Sequence, residues 1–362
     1  MALAAICLGY LLTPIVESDE QIINSDWPSF ATGARLAVEN PAHLYDLDAQ
    51  RRVELEITGG RQLVTLGIQG ILPFLGPPWV ALLAIPFLQL GVPAGGRAWI
   101  LGGLLALAGG LWLALKRGPP EQFLPAFAAV PTALILLNAQ LDGLVVLGLG
   151  TAYRWWRERP LAAGFALGLT LVKPHLVLPV GFALLLGRRW RLLGGWAAAG
   201  LLLAGASALR DPAWVLGWLG PATRTVQQHS REIALADLAP YLAGPPYLLF
   251  LVAGLAVAAL AGVLYLAWYS RQPAVLVAGG VLAAPHALPA DLALIALALV
   301  IWGRAGWLDW LLLSLGTAAA ALLTPPLPAL AGVLLAAGFC LRVAGLSPRL
   351  PRRPEGPAEA PG

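Results

Sequence analysis

Apolar residues run along most of the chain in blocks, interrupted at short intervals by prolines, glycines and small polar clusters. The first block, Ala2 to Val16, is about 15 residues, against about 20 for an ordinary membrane helix. No basic region precedes it, and Glu17-Ser18-Asp19-Glu20 follows without a small-residue cleavage site. It therefore reads as an uncleaved first span rather than a signal peptide; a start set too late would also leave a span this short. Residues 17–62 are the most polar stretch and read as the first extracytoplasmic loop. Short amphipathic helices are predicted there at Ser29 to Val38 and Asp48 to Ile57, with Asn40-Pro41 as the break. Beyond the loop the pattern predicts membrane helices at 78–91, 97–115, 121–137, 142–155, 161–172, 175–187, 193–208, 247–268, 274–285, 290–302, 307–322 and 327–344. Several are short, which implies tilted, broken or re-entrant segments. Broken helices at membrane depth normally line a protein-enclosed cavity.

Composition excludes most other classes. Hydrophobic residues make up 59% and charged residues 12%, whereas soluble chains are about a quarter charged. Mean hydropathy is +0.76. That rules out a soluble enzyme, a disordered chain and a secreted disulfide scaffold. Residues 1–346 read as one integral membrane domain, and the Pro- and Arg-rich tail 347–362 as disordered and cytoplasmic. The expected fold class is all-α, a polytopic membrane protein of about 12–14 membrane helices. The net charge of +4 is scattered over short loops, so nucleic acid is not an expected partner. Cys7 and Cys340 sit in apolar runs without metal-ligand neighbours and read as membrane filler. The Ala, Gly, Leu and Pro bias, with arginine far above lysine, fits a GC-rich bacterial genome.

Basic loops set the orientation. Lys116-Arg117, Arg154 to Arg159, Arg188 to Arg191, Arg271, Arg304 and the 349–353 arginines alternate consistently if all are cytoplasmic. The opposite turns then face outward: 138–142, 173–175, the second large loop 210–246, 285–291 and 324–328. An odd number of crossings must separate the first loop from Lys116, so Leu63 to Leu75 is either a short extra crossing or one segment is re-entrant.

Under this orientation the unusual polar residues fall on one side. Asp26, Gln140, Asp142, Lys173, His175, His229, His286 and Asp291 lie in or beside outward turns. Asp26, in Asn24-Ser25-Asp26-Trp27-Pro28, reads either as a partly buried general base or as the N-cap of a helix starting near Pro28. Lys173-Pro174-His175 interrupts an apolar stretch. A lysine in a membrane helix costs about 2.5–3.5 kcal/mol on insertion scales, so it is retained for function or pairing. It reads as a phosphate ligand or as a snorkelling lysine at a helix end. Pro285-His286 with Asp291 reads as a phosphate contact or a capped turn. Asn138-Ala139-Gln140-Leu141-Asp142 reads as a polar turn or as sugar contacts. Asp46-Leu47-Asp48 matches the Asp-x-Asp pattern of metal-dependent nucleotide-sugar enzymes only weakly.

In order and spacing these motifs resemble a known family. They are the early Asp26-Trp27, Leu44-Tyr45-Asp46, Pro77-Pro78 opening an apolar helix, Asn138-Ala139-Gln140, Ala163-Gly164 with Lys173-Pro174, and Pro285-His286 with Asp291. Over roughly residues 1–300 the chain resembles glycosyltransferase family 87, the polyprenyl-phosphate-mannose-dependent mannosyltransferases of the C-type membrane superfamily. The resemblance implies the C-type architecture and an extracytoplasmic active site in a multi-pass cell-membrane protein. It implies a polyprenyl-phosphate-linked sugar donor, most often mannose, and a glycolipid or glycan acceptor, with membrane lipids as surroundings. Asp26 would be the base that deprotonates the acceptor hydroxyl. Lys173 and His286 would neutralise the leaving phosphate in a single inverting displacement. Gln140, Asp142, His175 and Asp291 are further substrate-binding candidates, as are Arg210, Arg224, His229 and Arg231 of the second loop. A lipid phosphate leaving group does not require a metal, so neither metal nor other cofactor is expected. The chain departs from the family pattern at Gly76-Pro77-Pro78 for Tyr-Pro-Pro, Ala139-Gln140-Leu141-Asp142 for Gly-Gln-x-Asn, Ala284-Pro285-His286 for Ser-Pro-His, and Ala290 for Tyr. These departures bear on the donor sugar more than on the fold. The rival reading is a transporter or lipid flippase, which would hold its polar residues near the bilayer midplane and often carries inverted repeats.

Overall fold

A computed structural model describes residues 9, 12–13, 15–61, 72–115, 118–225, 232–242 and 245–346. Most of the Ala2–Val16 span, Cys7, most of the extra crossing at 63–75, Lys116-Arg117, His229, Arg231, the side chain of Arg224 and the tail 347–362 lie outside the described residues. Among the described residues the protein is all-helical, and it is a polytopic membrane protein.

The helices fall where the apolar blocks do, and proline explains their ends. Prolines stand at the first or second position of Trp27–Glu39, Pro78–Leu88, Val130–Leu137, Pro160–Ala166, Leu178–Leu186, Pro273–Ala283 and Leu327–Val343. Proline suits a helix start, where its missing N–H has no partner to lose, and it stops a helix arriving from before it. The block expected as one helix at 121–137 is broken for this reason: Phe123–Phe127 and Val130–Leu137 meet at a 49° bend, with Pro131 opening the second piece.

Length sharpens the expected count of crossings. Val92–Leu115, Trp190–Ala208 and Tyr247–Ser270 are long and apolar enough to cross a membrane, and the bent pair makes a fourth. The other apolar helices run 10–17 residues, about 15–25 Å each, which is short of a hydrocarbon layer of about 30 Å. Several of these short helices end at the same polar turns.

The two amphipathic helices of the first loop form as Trp27–Glu39 and Leu47–Ile57. Asp46 is the N-cap of the second, its Oδ1 accepting from the backbone N–H of Asp48 (2.8 Å) and Ala49 (3.1 Å). The Asp46-Leu47-Asp48 pattern is thus accounted for by a helix start. The first loop is bolted to the long Val92–Leu115 helix. The fully buried Trp27 donates its indole N–H to the Val92 carbonyl (2.7 Å), and its ring lies 5.6 Å from that of Trp99. Arg97 reaches back to Asp19 (2.6 Å). In the second loop, Trp214–Thr225 lays Trp214 and Trp218 against Trp79, with ring centroids 5.5 and 6.1 Å away.

Val92–Leu115 and Asp142–Trp155 run parallel in backbone contact, Gly103 against Gly143 and Gly110 against Gly150. Glycines seven apart on both helices share one face, and small residues let membrane helices approach this closely. Pro160–Ala166 and Trp190–Ala208 also run parallel, meeting at Gly164 and Gly195. The basic turns that precede them therefore lie on the same side, and Arg189 sits 5.6 Å from the ring centre of Trp156. Gln122 donates to the Ala305 carbonyl (3.0 Å), which brings the 120–122 turn beside the one that carries Arg304.

The glycine seam gives a direct test. A methyl group at Gly143 would collide with the Gly103 backbone, whereas one at Gly102 meets nothing within 4 Å. Gly143→Ala should destabilise the protein by about 1–3 kcal/mol, as overpacking does, and Gly102→Ala should not. Thermal unfolding of the two variants in detergent measures the difference.

Candidate functional site

The site is assembled from turns far apart in sequence. Asp26 precedes the Trp27–Glu39 helix, but its carboxylate makes no cap bond. Ser25 does that work, its Oγ accepting from the Trp27 N–H (3.2 Å). The capping reading of Asp26 is therefore corrected: the carboxylate is left to face the Gln140 side chain, whose Nε2 donates to Asp26 Oδ2. The two turns are also joined by the Asp26 N–H donating to the Asn138 carbonyl (3.3 Å). Gln140 is aimed by its own backbone. Ala139 takes a left-handed φ of 53°, a conformation that favours glycine, where the family pattern has one. The Trp99 indole holds the Ala139 carbonyl at 3.0 Å.

Two residues further on, Asp142 opens its helix with no exposed surface (0%). Its Oδ2 accepts from Lys173 Nζ at 3.0 Å, and the same ammonium donates to Asp291 Oδ1 at 2.6 Å. Lys173 lies at the junction of two 3-10 turns, Leu167–Val172 and Pro174–Val177, so Pro174 breaks the helix just where the lysine must turn inward. Lys173 is a paired lysine rather than a snorkelling one. Two of its three N–H donors go to carboxylates, and two acids against one ammonium leave no surplus positive charge there. Asp291 Oδ2 accepts from the Leu288 N–H (2.6 Å), ordering the turn that carries His286. His286 stacks on His175 with ring centroids 4.4 Å apart.

Sequence reasoning missed two acids of the second loop. The Asp237 Oδ2 accepts from the backbone N–H groups of Ala234 (2.6 Å) and Ala287 (3.3 Å), and the Ile233 N–H donates to the Ala287 carbonyl (2.7 Å). This strap lies against the His286 turn. Glu232 hydrogen-bonds to Asp237 and feels Asp291, and burial together with the Asp237 carboxylate raises its pKa well above the usual carboxylate range. The available signal was an apolar run, Ile233 to Ala236, enclosed by the two acids Glu232 and Asp237.

Not every candidate joins the cluster. Arg210 lines a separate small cavity with Ala37, Leu44, Pro78 and Trp214. His229 and the side chain of Arg224 lie outside the described residues.

The cluster reaches deeper than the outward turns suggested. Gly143 packs on Gly103, six residues past Arg97 and so about 9 Å further along the helix. Asp26, near the loop end of that helix, is half-buried. Burial pushes its carboxyl up to about 7, against the opposing pull of Lys173 and the Gln140 hydrogen bond. The arrangement thus offers one carboxylate that titrates near neutrality, a clamped ammonium and a pair of stacked imidazoles, all inside an apolar helical shell.

Residues 74–289 match the family model of glycosyltransferase family 87, more than half of the chain. The chain belongs to that family, and the protein is a membrane glycosyltransferase that takes a sugar donor and a glycan or lipid acceptor. The matched stretch includes Gln140, Asp142, Lys173, His175 and His286, and ends two residues before Asp291. Membership decides for an enzyme over a transporter. No curated protein and no solved structure matches the chain.

Removing one member of a buried ion cluster leaves uncompensated charge and costs about 3–5 kcal/mol. Lys173→Met should lower stability by about that much, and adding Asp142→Asn and Asp291→Asn to it should recover a large part. The unfolding midpoints of the single and triple variants measure both effects.

Proposed function

We propose that the protein moves a hexose, mannose in this reading, from a polyprenyl-phosphate carrier to a lipid-linked or polymeric acceptor at the extracytoplasmic face of the membrane. Asp26 is the base. Its carboxylate takes the proton of the acceptor hydroxyl as that oxygen attacks the anomeric carbon. The bond from the anomeric carbon to the phosphate oxygen breaks in the same step, and the lipid phosphate leaves with the electron pair. A single displacement inverts the centre, giving an α-linked product from a β-linked donor.

The observation that carries this reading is the contact between Gln140 and Asp26 beside the Lys173–Asp142–Asp291 cluster. A general base works best when its pKa lies near the working pH, and burial brings Asp26 there. Gln140 orients the carboxylate. Lys173 holds Asp142 and Asp291 in place and offers its third N–H to the donor phosphate, while His286, stacked on His175, supplies a second donor to the departing oxygen. Donors already fixed in a water-poor site stabilise developing charge without reorganising.

Transfer of radiolabelled sugar from polyprenyl phosphate in membranes tests the reading. Asp26→Asn should lower the rate by about 10²–10⁴-fold, the usual contribution of a general base; a variant that transfers normally would sink Asp26 as the base. No transfer by the wild type from mannose or any other polyprenyl-phosphate hexose would overturn the donor class. Because the base must be unprotonated, kcat/KM should rise with pH to a plateau, with its half-point at about 7. Below that point it should fall about tenfold per pH unit. A profile that is flat across neutrality removes Asp26 from the step.

A further inference from the structure

We infer that the groove between the Pro160–Ala166 and Trp190–Ala208 helices holds one anionic phospholipid, its hydrocarbon against the groove and its phosphate against the neighbouring arginine turns. The groove encloses about 460 Å³ and is lined by Trp155, Leu161, Phe165, Gly195 and Ala198 among others, all apolar. Its walls stand open: Leu161 is 61% and Phe165 51% exposed. Its floor is backbone, because Gly164 and Gly195 bring the two helices into contact.

The charge at one end decides the occupant. The turns at 154–159 and 188–191 carry six arginines, and their only acid, Glu158, is paired with Arg154 (3.0 Å). Arg157 and Arg189 lie 4.9 and 5.6 Å from the ring centre of Trp156, next to the groove residue Trp155, so the two turns stand side by side at its mouth. Arg191, Gly195 and Ala198 are spaced four and three apart, which places them on one stripe of the helix. That stripe runs from a guanidinium straight into the groove. A free phosphate would use the arginines and leave the groove, whereas a neutral lipid would use the groove and leave the arginines. A molecule with an anionic head and an acyl tail uses both. Basic pockets between membrane helices are built for such head groups, each Lys or Arg near the surface adding about fivefold in affinity.

This site is separate from the candidate active site, since Lys173 lies at the opposite end of the 160–172 segment. Native mass spectrometry of the full chain tests it, with phosphatidylglycerol and phosphatidylcholine of identical acyl chains offered together. The wild type should retain phosphatidylglycerol in preference. Arg189→Gln/Arg191→Gln, whose side chains are exposed, should lose the preference by at least about fivefold. Ala198→Trp fills the groove and keeps every arginine, and it should release the lipid as well. Arg304→Gln, on the same side but in another turn, should behave as wild type. Four results would overturn the inference: no preference in the wild type, preference kept by the arginine pair variant, lipid kept by Ala198→Trp, or equal loss in Arg304→Gln.

Discussion

The ammonium of Lys173 between the carboxylates of Asp142 and Asp291 is the interaction on which the rest of the interior depends. Charge is scarce in this chain, and an unpaired charge among apolar helices is expensive to bury. Three separate segments must therefore come together for any of the three groups to be tolerated. Once they do, the other oxygen of Asp291 orders the turn through Leu288, and that turn fixes His286 against His175. The placing of the histidines is thus a consequence of the ion cluster. The same cluster limits the chemistry: Lys173 acts with its charge already balanced.

Asp26 reaches the cluster by different means. It belongs to the polar first loop, which the Trp27, Trp99 and Phe30 rings and the Arg97–Asp19 pair hold against the long helix. Indole anchors are suited to this, since they bury a large apolar body and still satisfy one N–H. The carboxylate is consequently carried into a partly dry setting by apolar packing on its neighbours, and its elevated pKa follows from that burial.

The fold was largely legible because proline and apolar runs are local signals. The apolar helices between Pro78 and Val343 follow from them, whereas the Trp214–Thr225 helix inside the second loop and the Asp46 cap do not. What was not legible depends on long-range pairing. Nothing near Lys173 in sequence says that its partners stand 31 and 118 residues away. That the Asp26 carboxylate makes no cap bond turned on Ser25, a neighbour whose hydroxyl accepts the Trp27 N–H in its place. The acids Glu232 and Asp237 looked like ordinary loop residues until the loop folded back onto the Ala287 backbone. Arg210 looked like a plausible anion contact and instead lines a separate cavity. The depth of the site was hidden for the same reason, because depth is set by which residues of two helices lie side by side.

That last point gives the glycine seam a role beyond packing. Gly103 and Gly110 meet Gly143 and Gly150 in one register only, and Gln140 rides on the end of the second helix. A slip of one turn would carry Gln140 about 5.4 Å along the axis and out of reach of Asp26. The seam is in effect a gauge block. It is cut from residues with no side chain at all, and it sets the vertical alignment between a loop carboxylate and a buried amide that never share a secondary-structure element.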